Sequence, residues 1–397
     1  MKLTLLIDLD DTLLANNMEQ FEPAYLKALS KHLSNHIKPE IMLRELLYAT
    51  QGMIKNDRPD LTLEDAFDNA FYPAIGVSKT DLKGIITSFY EKVFPNLIAV
   101  TSTKPDAQHF INWAVSKGHR LAVATNPLFP RTAIYQRLTW AGFPPAQYPF
   151  QLISSYESFH FSKPNLAYYA EILAQLGWPQ EPVIMVGNDY KDDILPAKKL
   201  GLTTFWVNKP VSSSSAKELD REQKSGDLYD LVTWLDMTVD IPVFHISTNQ
   251  DALLAVLRAN LAALQTLTGD ILDKDSTSNS MPGESHITRL LENWTDLESC
   301  KYLPELKLAI KQIKPGLPEN AIDTLPAKIQ KTVHPVSAIN ELCVARLASL
   351  NLFKHLSPQD WEHSFQDPIL SRLVSQWVTK DCAMLRELWK LVKETAY

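Results

Sequence analysis

The sequence predicts an α/β domain built on a doubly wound parallel sheet with an inserted helical cap, followed by a separate all-α helical bundle. Three observations carry this prediction. Short apolar runs alternate with helical periodicities over residues 1–210, a helical stretch of about residues 15–100 interrupts that alternation, and no convincing strand follows residue 241. Alternating β and α signals predict a mostly parallel sheet with helices on both faces.

The first strand is the apolar run from Leu3 to Ile7, and it ends abruptly in Asp8, Asp10 and Asp11. The next segment is helical: Tyr25, Leu26, Leu29 and Leu33 recur at three- and four-residue spacing, as do Ile41, Leu43, Leu46 and Leu47. Asp60 to Glu64 and Ser78 to Asp81 look like helix starts with capping side chains. These helices read as a cap over the strand ends. Lys104 to Lys117 is an amphipathic helix closed by Gly118, and Arg120 to Thr125 returns to strand.

From there the signals alternate. Tyr148–Ser154, Pro182–Val186 and Thr203–Val207 read as strands, Asn165–Leu176 and Asp192–Leu200 as helices. Ser- and Lys-rich residues after Lys209 suit a loop, so 211–240 is expected to be a linker. The second domain, 241–397, carries helical patterns at about 248–272, 284–300, 303–313, 335–354 and 367–394.

A chain of 397 residues can hold two or three domains with sizeable cores. Its net charge of −7, without a long basic run, argues against nucleic acid or an anionic membrane surface as partner. Three widely spaced cysteines (Cys300, Cys343, Cys382) point to a reducing compartment. The N-terminal apolar run is too short for a signal peptide or a membrane span, and a cytoplasmic location is expected.

Asp8 and Asp10 stand two apart in an extended segment and so face one side. Such crowding is costly unless a cation lies between them, and magnesium is the natural tenant. The carboxyl end of a strand is also where open α/β sheets place their ligands. Thr125 ends a strand with a hydroxyl and is followed by Asn126-Pro127. Lys163 precedes a helix, and Gly187-Asn188-Asp189 opens an acidic run through Asp193. Taken alone, Thr125 reads as an ordinary strand end, Lys163 as a surface lysine and Asp192 as a helix-start charge. Tyr90, Phe89, Phe71 and Trp113 read as core aromatics.

In combination these pieces resemble the haloacid dehalogenase-like hydrolase superfamily over residues 1–210. The first motif is matched by Asp8-Leu-Asp10-Asp-Thr12, the second by Thr125, the third by Lys163 and the fourth by residues 188–193. The resemblance implies a Rossmann-like sheet and a magnesium-dependent phosphatase acting on a small phosphorylated metabolite. It implies that Asp8 is the nucleophile, that Asp10 is the acid and base, and that Thr12, Thr125, Asn126 and Lys163 bind the phosphoryl group. Magnesium would be held by Asp8, the Asp10 carbonyl and the fourth motif. There the usual Gly-Asp is replaced by Gly187-Asn188, which makes Asp189 and Asp193 the stronger candidates beside Asn188. An acid at position 10 favours phosphate over halide as the group released. Phosphonate cleavage would need a cap lysine, for which Lys27, Lys31 and Lys55 are the candidates; transfer between metabolites is a further alternative.

The second domain faintly resembles DinB-like four-helix domains. Where that family carries three metal-binding histidines, this chain has Asn293, Lys380 and Met384, while Asp296, Glu298 and Asp381 remain. No metal is expected there, and His286, His334, His355 and His363 read as scattered helix-end and loop histidines. The bundle is left for packing, self-association or partner docking, and a regulatory protein acting through it is the competing reading of the whole chain.

Overall fold

The computed structural model describes residues 1–208, 223–238, 240–272, 284–318, 335–357, 359–361 and 369–395. Residues 273–283, between two of the expected helices, residues 211–222 and 239 of the expected linker, His334 and His363 lie outside them. The chain divides into two compact units: Met1–Ile172 with Pro179–His245, and Leu173–Trp178 with Ile246–Tyr397.

The first unit begins with β1 (Thr4–Ile7), whose four residues are all buried, as a strand covered on both faces must be. A tight loop follows, in which the amides of Leu13 and Leu14 both donate to the Leu9 carbonyl at 2.9 Å. The chain enters the cap through β2 (Leu14–Asn16) and leaves through β3 (Thr101–Thr103), and these two strands pair antiparallel with each other. Between them lie helices α1 (Met18–Leu33), α2 (Pro39–Ile54), α3 (Leu63–Ile75) and α4 (Lys79–Ser88). The Thr62 and Ser78 hydroxyls accept from the Asp65 and Asp81 amides at 3.0 and 3.1 Å, capping the last two.

After the cap come α5 (Pro105–Ser116), β4 (Arg120–Val123), α6 (Arg131–Trp140), β5 (Phe150–Ile153), α7 (Leu166–Gln175) and β6 (Val183–Gly187). Then follow α8 (Leu195–Leu200), β7 (Thr203–Val207), β8 (Lys224–Gly226) and α9 (Leu228–Met237). The sheet order is β5-β4-β1-β6-β7-β8, all parallel. Strand β1 is central, and the chain winds to one side through β4 and to the other through β6. That reversal opens a crevice at the carboxyl end of β1.

Two elements fall where a linker is expected. The polar β8 joins the sheet through backbone pairing with β7, Phe205 opposite Lys224, which needs no apolar side chain. Helix α9 starts on a reciprocal cap between Asp227 and Asp230 and buries Leu228, Leu231, Val232 and Leu235 at helical spacing. Helix α6 is a further element without a sequence signal. Its apolar stripe of Ala133, Ile134 and Leu138 is broken by Arg137, which is itself buried.

The second unit is helical in all its described elements: Gln250–Leu272, Glu284–Leu297, Leu303–Ile313, Pro335–Phe353 and Ile369–Thr395, with a π-helical turn over Glu298–Tyr302. Among the described residues, Gln250–Gly269 is long and apolar enough to cross a membrane by length and composition, yet 67% of that window is buried inside the protein. Two of the three retained acids, Glu298 and Asp381, are accounted for by a guanidinium. Arg346 donates to both oxygens of Glu298 at 2.9 Å and to both oxygens of Asp381 at 2.8 and 3.1 Å. The Trp377 indole donates to Glu298, the Trp294 indole to Asp381 at 2.5 Å. A cation of the chain's own thus sits among these carboxylates.

Candidate active site

Three strands deliver the site. Backbone bonds from Asp8 N to the Val186 carbonyl (2.9 Å) and from Ala124 N to the Ile7 carbonyl (2.7 Å) bring the ends of β6, β1 and β4 level. Asp8, Thr125 and Asn188 therefore meet at one edge. Thr125 is buried, and its carbonyl accepts from the Ser154 and Tyr168 hydroxyls at 2.8 and 2.7 Å, which fixes the residue that carries the hydroxyl.

The Lys163 ammonium lies between two buried carboxylates, 2.7 Å from Asp8 Oδ1 and 2.5 Å from Asp193 Oδ1. Its own amide is held by the Asn126 side chain at 3.3 Å. Burial pushes the Asp8 carboxyl up to about 7 despite Lys163, and repulsion from Asp193 and Asp10 acts in the same direction. Burial works against the charge on Lys163, but Asp193 and Asp8 hold it well above the usual lysine range. Both groups are shifted upward, and two buried carboxylates share the one ammonium.

The fourth motif divides its labour differently from expectation. Asp189 does not face Asp8: its carboxylate accepts the amides of Lys191 (2.7 Å) and Asp192 (2.9 Å), capping the following turn. Asp193 is committed to Lys163 and to the Asp189 amide at 3.0 Å. Its carboxylate packs so closely on Gly187 that a Cβ there would lie 2.2 Å from Oδ2, so no larger residue fits. Asn188 is the residue that turns inward. One terminal atom of its carboxamide lies 2.9 Å from the Asp10 carbonyl, 3.1 Å from the Thr12 hydroxyl and 3.2 Å from Asp8 Oδ2. With nitrogen there the amide donates to all three; with oxygen there it accepts from Thr12 and faces the other two oxygens.

That second arrangement fits magnesium. Mg–O bonds of ~2.0–2.1 Å at right angles place neighbouring ligand oxygens about 2.8–3.0 Å apart. The amide oxygen stands 2.9 and 3.2 Å from its two companions. Among the described residues no cluster of three His, Cys, Asp or Glu side chains is arranged around a metal. The cradle consists of one carboxylate, one backbone carbonyl and one amide, a set that a substrate phosphate can complete.

Asp10 contributes its carbonyl to that cradle and sends its side chain elsewhere. Oδ1 accepts from the Asn16 amide at 2.7 Å, and Oδ2 pairs with Arg137. The guanidinium is buried and lies over the rings of Phe21 (5.4 Å) and Phe129 (5.2 Å).

The family model of haloacid dehalogenase-like hydrolases matches residues 5–207, more than half of the chain. The chain belongs to this family. This hydrolase is 30% identical over 146 residues to glyceraldehyde 3-phosphate phosphatase from Methanothermobacter thermautotrophicus, a match covering 37% of this chain and 53% of that protein. The hydrolase thus spans about half the length of that relative. Among solved structures it is similar to a HAD phosphatase from Thermococcus onnurineus (19% identity, TM-score 0.39, 59% of this chain and 98% of that one). It is also similar to the HAD-hydrolase YfnB from Bacillus subtilis bound to magnesium (19% identity, TM-score 0.35, 59% and 99%).

Within the hydrolase, Asp8, Thr12, Thr125, Asn126, Lys163, Asn188 and Asp193 converge, and Asp189 stands aside. Arg137 and Asn16 are the partners that sequence reasoning missed. Asn16 follows the first motif closely enough to be a candidate, but Arg137 lies on a helix with no periodic signal.

Proposed function

We propose that this hydrolase is a magnesium-dependent phosphatase of a small phosphorylated metabolite, working through a phosphoryl group carried on Asp8. The observation that supports it best is the environment of Asp8. One carboxylate oxygen is bound by Lys163 and the other faces the Asn188–Asp10 cradle, beside Thr125. Phosphoryl transfer is catalysed mainly by positioning and charge neutralisation, and this arrangement offers both.

In the first step an Asp8 oxygen bonds to phosphorus while the bond to the ester oxygen breaks, and Asp10 gives its proton to the departing alkoxide. In the second, Asp10 takes a proton from water, the water oxygen bonds to phosphorus, and Asp8 is released with inorganic phosphate. Thr125, Asn126, Thr12 and Lys163 bind and orient phosphoryl oxygens. Magnesium, held by Asp8, the Asp10 carbonyl and Asn188, would neutralise charge between nucleophile and phosphate. Lys27, Lys31 and Lys55 do not line the cap cavity. The free cysteines suit a cytoplasmic enzyme, with the bundle available for self-association or docking.

The test is a phosphoester panel assayed with and without magnesium, together with rapid-quench capture of phosphate on the protein. Turnover indifferent to magnesium, or a label on a residue other than Asp8, overturns the reading. Two substitutions probe its parts. Asn188→Asp adds a charge to the cradle and is expected to lower the magnesium concentration for half-maximal turnover by about tenfold, since affinity for hard cations follows ligand charge. Arg137→Gln frees Asp10 to rotate and is expected to lower kcat by about 10²-fold, the lower end of what a positioned acid–base supplies, with KM nearly unchanged. Arg137→Lys should recover part of that loss, whereas a purely structural role would lower the fraction of folded enzyme and leave its kcat intact.

A further inference from the structure

A cavity of about 500 Å³ lies between the cap helices α1–α4 and the loop Leu128–Pro130, a size typical of small-molecule sites. It adjoins the reacting centre at two points. Met18, in its wall, has its sulfur 3.6 Å from the Asn16 amide that holds Asp10. Phe129, also in its wall, stacks against the guanidinium of Arg137, the other partner of Asp10. None of Asp8, Thr125, Lys163 and Asn188 lines the cavity, so the group esterified to a phosphate at Asp8 would reach it past these two partners of Asp10.

The chemistry of the wall is one-sided. Leu, Ile, Met, Phe and Tyr dominate, and no Lys, Arg or His is among the lining residues. Most of the polar atoms are already used within the wall. The Tyr25 and Tyr90 hydroxyls pair at 3.1 Å, Thr50 donates to the Leu46 carbonyl at 2.8 Å, and Asp68 is bound by Lys79 at 2.5 Å. Glu22 and Gln51 are exposed at their positions, which leaves Tyr72 and Tyr156 as the inner polar groups. A sugar or triose in this space would strip water from several hydroxyls and find few partners to replace it. A second phosphate or a carboxylate would meet Glu22 and Asp68, while Lys79 is already held by Asp68 and Glu64. An apolar group would gain from burial at every carbon.

We propose that the substrate is the monophosphate ester of a hydrophobic alcohol whose carbon chain or ring fills this cavity, hydrolysed with water to that alcohol and inorganic phosphate. The inference rests on the phosphatase reading and adds the substrate class. It separates this chain from the polar three-carbon ester in its relative's name.

The experiment uses the full chain and a series of primary n-alkyl phosphates from ethyl to octyl, with glycerol 1-phosphate as polar comparator. The leaving alkoxide is chemically constant along the series, so only burial changes. The expected result is a kcat/KM that rises by up to about fourfold per added methylene until the cavity is full. Leu46→Gln, in the wall but away from the reacting groups, should flatten that gradient. Calorimetric binding of ethyl- and hexylphosphonate in magnesium gives a second readout, with the hexyl compound expected to bind at least tenfold tighter. Active enzyme with no gradient, or with a preference for glycerol 1-phosphate, overturns the substrate class and leaves the phosphatase reading standing. Chain-length-dependent phosphonate binding without hydrolysis of any ester supports the apolar site and overturns the phosphatase reading.

Discussion

Asp8→Asn is expected to abolish phosphate release, with a loss of at least about 10³-fold in kcat, as removal of a covalent nucleophile typically produces. The substitution keeps the volume and removes both the attacking oxygen's charge and one of the two carboxylates around Lys163. Asp193 still pairs with the ammonium at 2.5 Å, so the lysine is not left as an isolated buried charge. The protein should therefore fold, with circular dichroism and a thermal midpoint close to the parent's. Residual turnover within tenfold of the parent would remove Asp8 from the chemistry. A fall in helical signal would instead place its role in the fold.

Arg346→Ala is expected to produce the largest stability loss, about 3–5 kcal/mol, because it strands two buried carboxylates. Glu298 and Asp381 each receive two hydrogen bonds from this one guanidinium. Burial already raises the Glu298 carboxyl above its usual range even with Arg346 beside it. Arg346→Lys retains the charge without the planar fork, and should lie between the parent and the alanine variant. Denaturant unfolding gives the measurement. An alanine variant within about 1 kcal/mol of the parent would mean the acids are satisfied by Trp294, Trp377 and Ser349 alone. Under conditions where the variant remains folded, phosphatase activity should persist, since the network lies wholly within the second unit.

The sheet was legible because β1, β4, β5, β6 and β7 carry short, mostly apolar runs and most crossovers carry helical spacing. Thr203–Val207 forms with the bounds its residues suggest, and Phe150–Ile153 lies inside its expected stretch. Strand β8 was illegible because pairing at a sheet edge satisfies backbone groups and leaves no mark on side chains. Helix α6 was hidden because a buried arginine interrupts the stripe that would reveal it. The site divides along the same line. Asp8, Thr125 and Lys163 stand at strand ends and a helix approach, which periodicity can locate. The choice among Asn188, Asp189 and Asp193 depends on which carboxylate the following turn and Lys163 consume first, and only coordinates resolve that competition. In the bundle, the missing histidines were readable, but Arg346 lies in a stretch of the chain far from the acids it serves.

The narrow ribbon of β2 and β3 carries one further implication. Both crossings into the cap are bonded to each other, Leu14 opposite Thr103 and Asn16 opposite Thr101. Asn16, at the cap end of that hinge, is also the residue whose amide grips Asp10. Any rotation of the cap about this neck would turn that amide relative to the carboxylate it holds, so the placement of the cap and the aim of Asp10 are geared together.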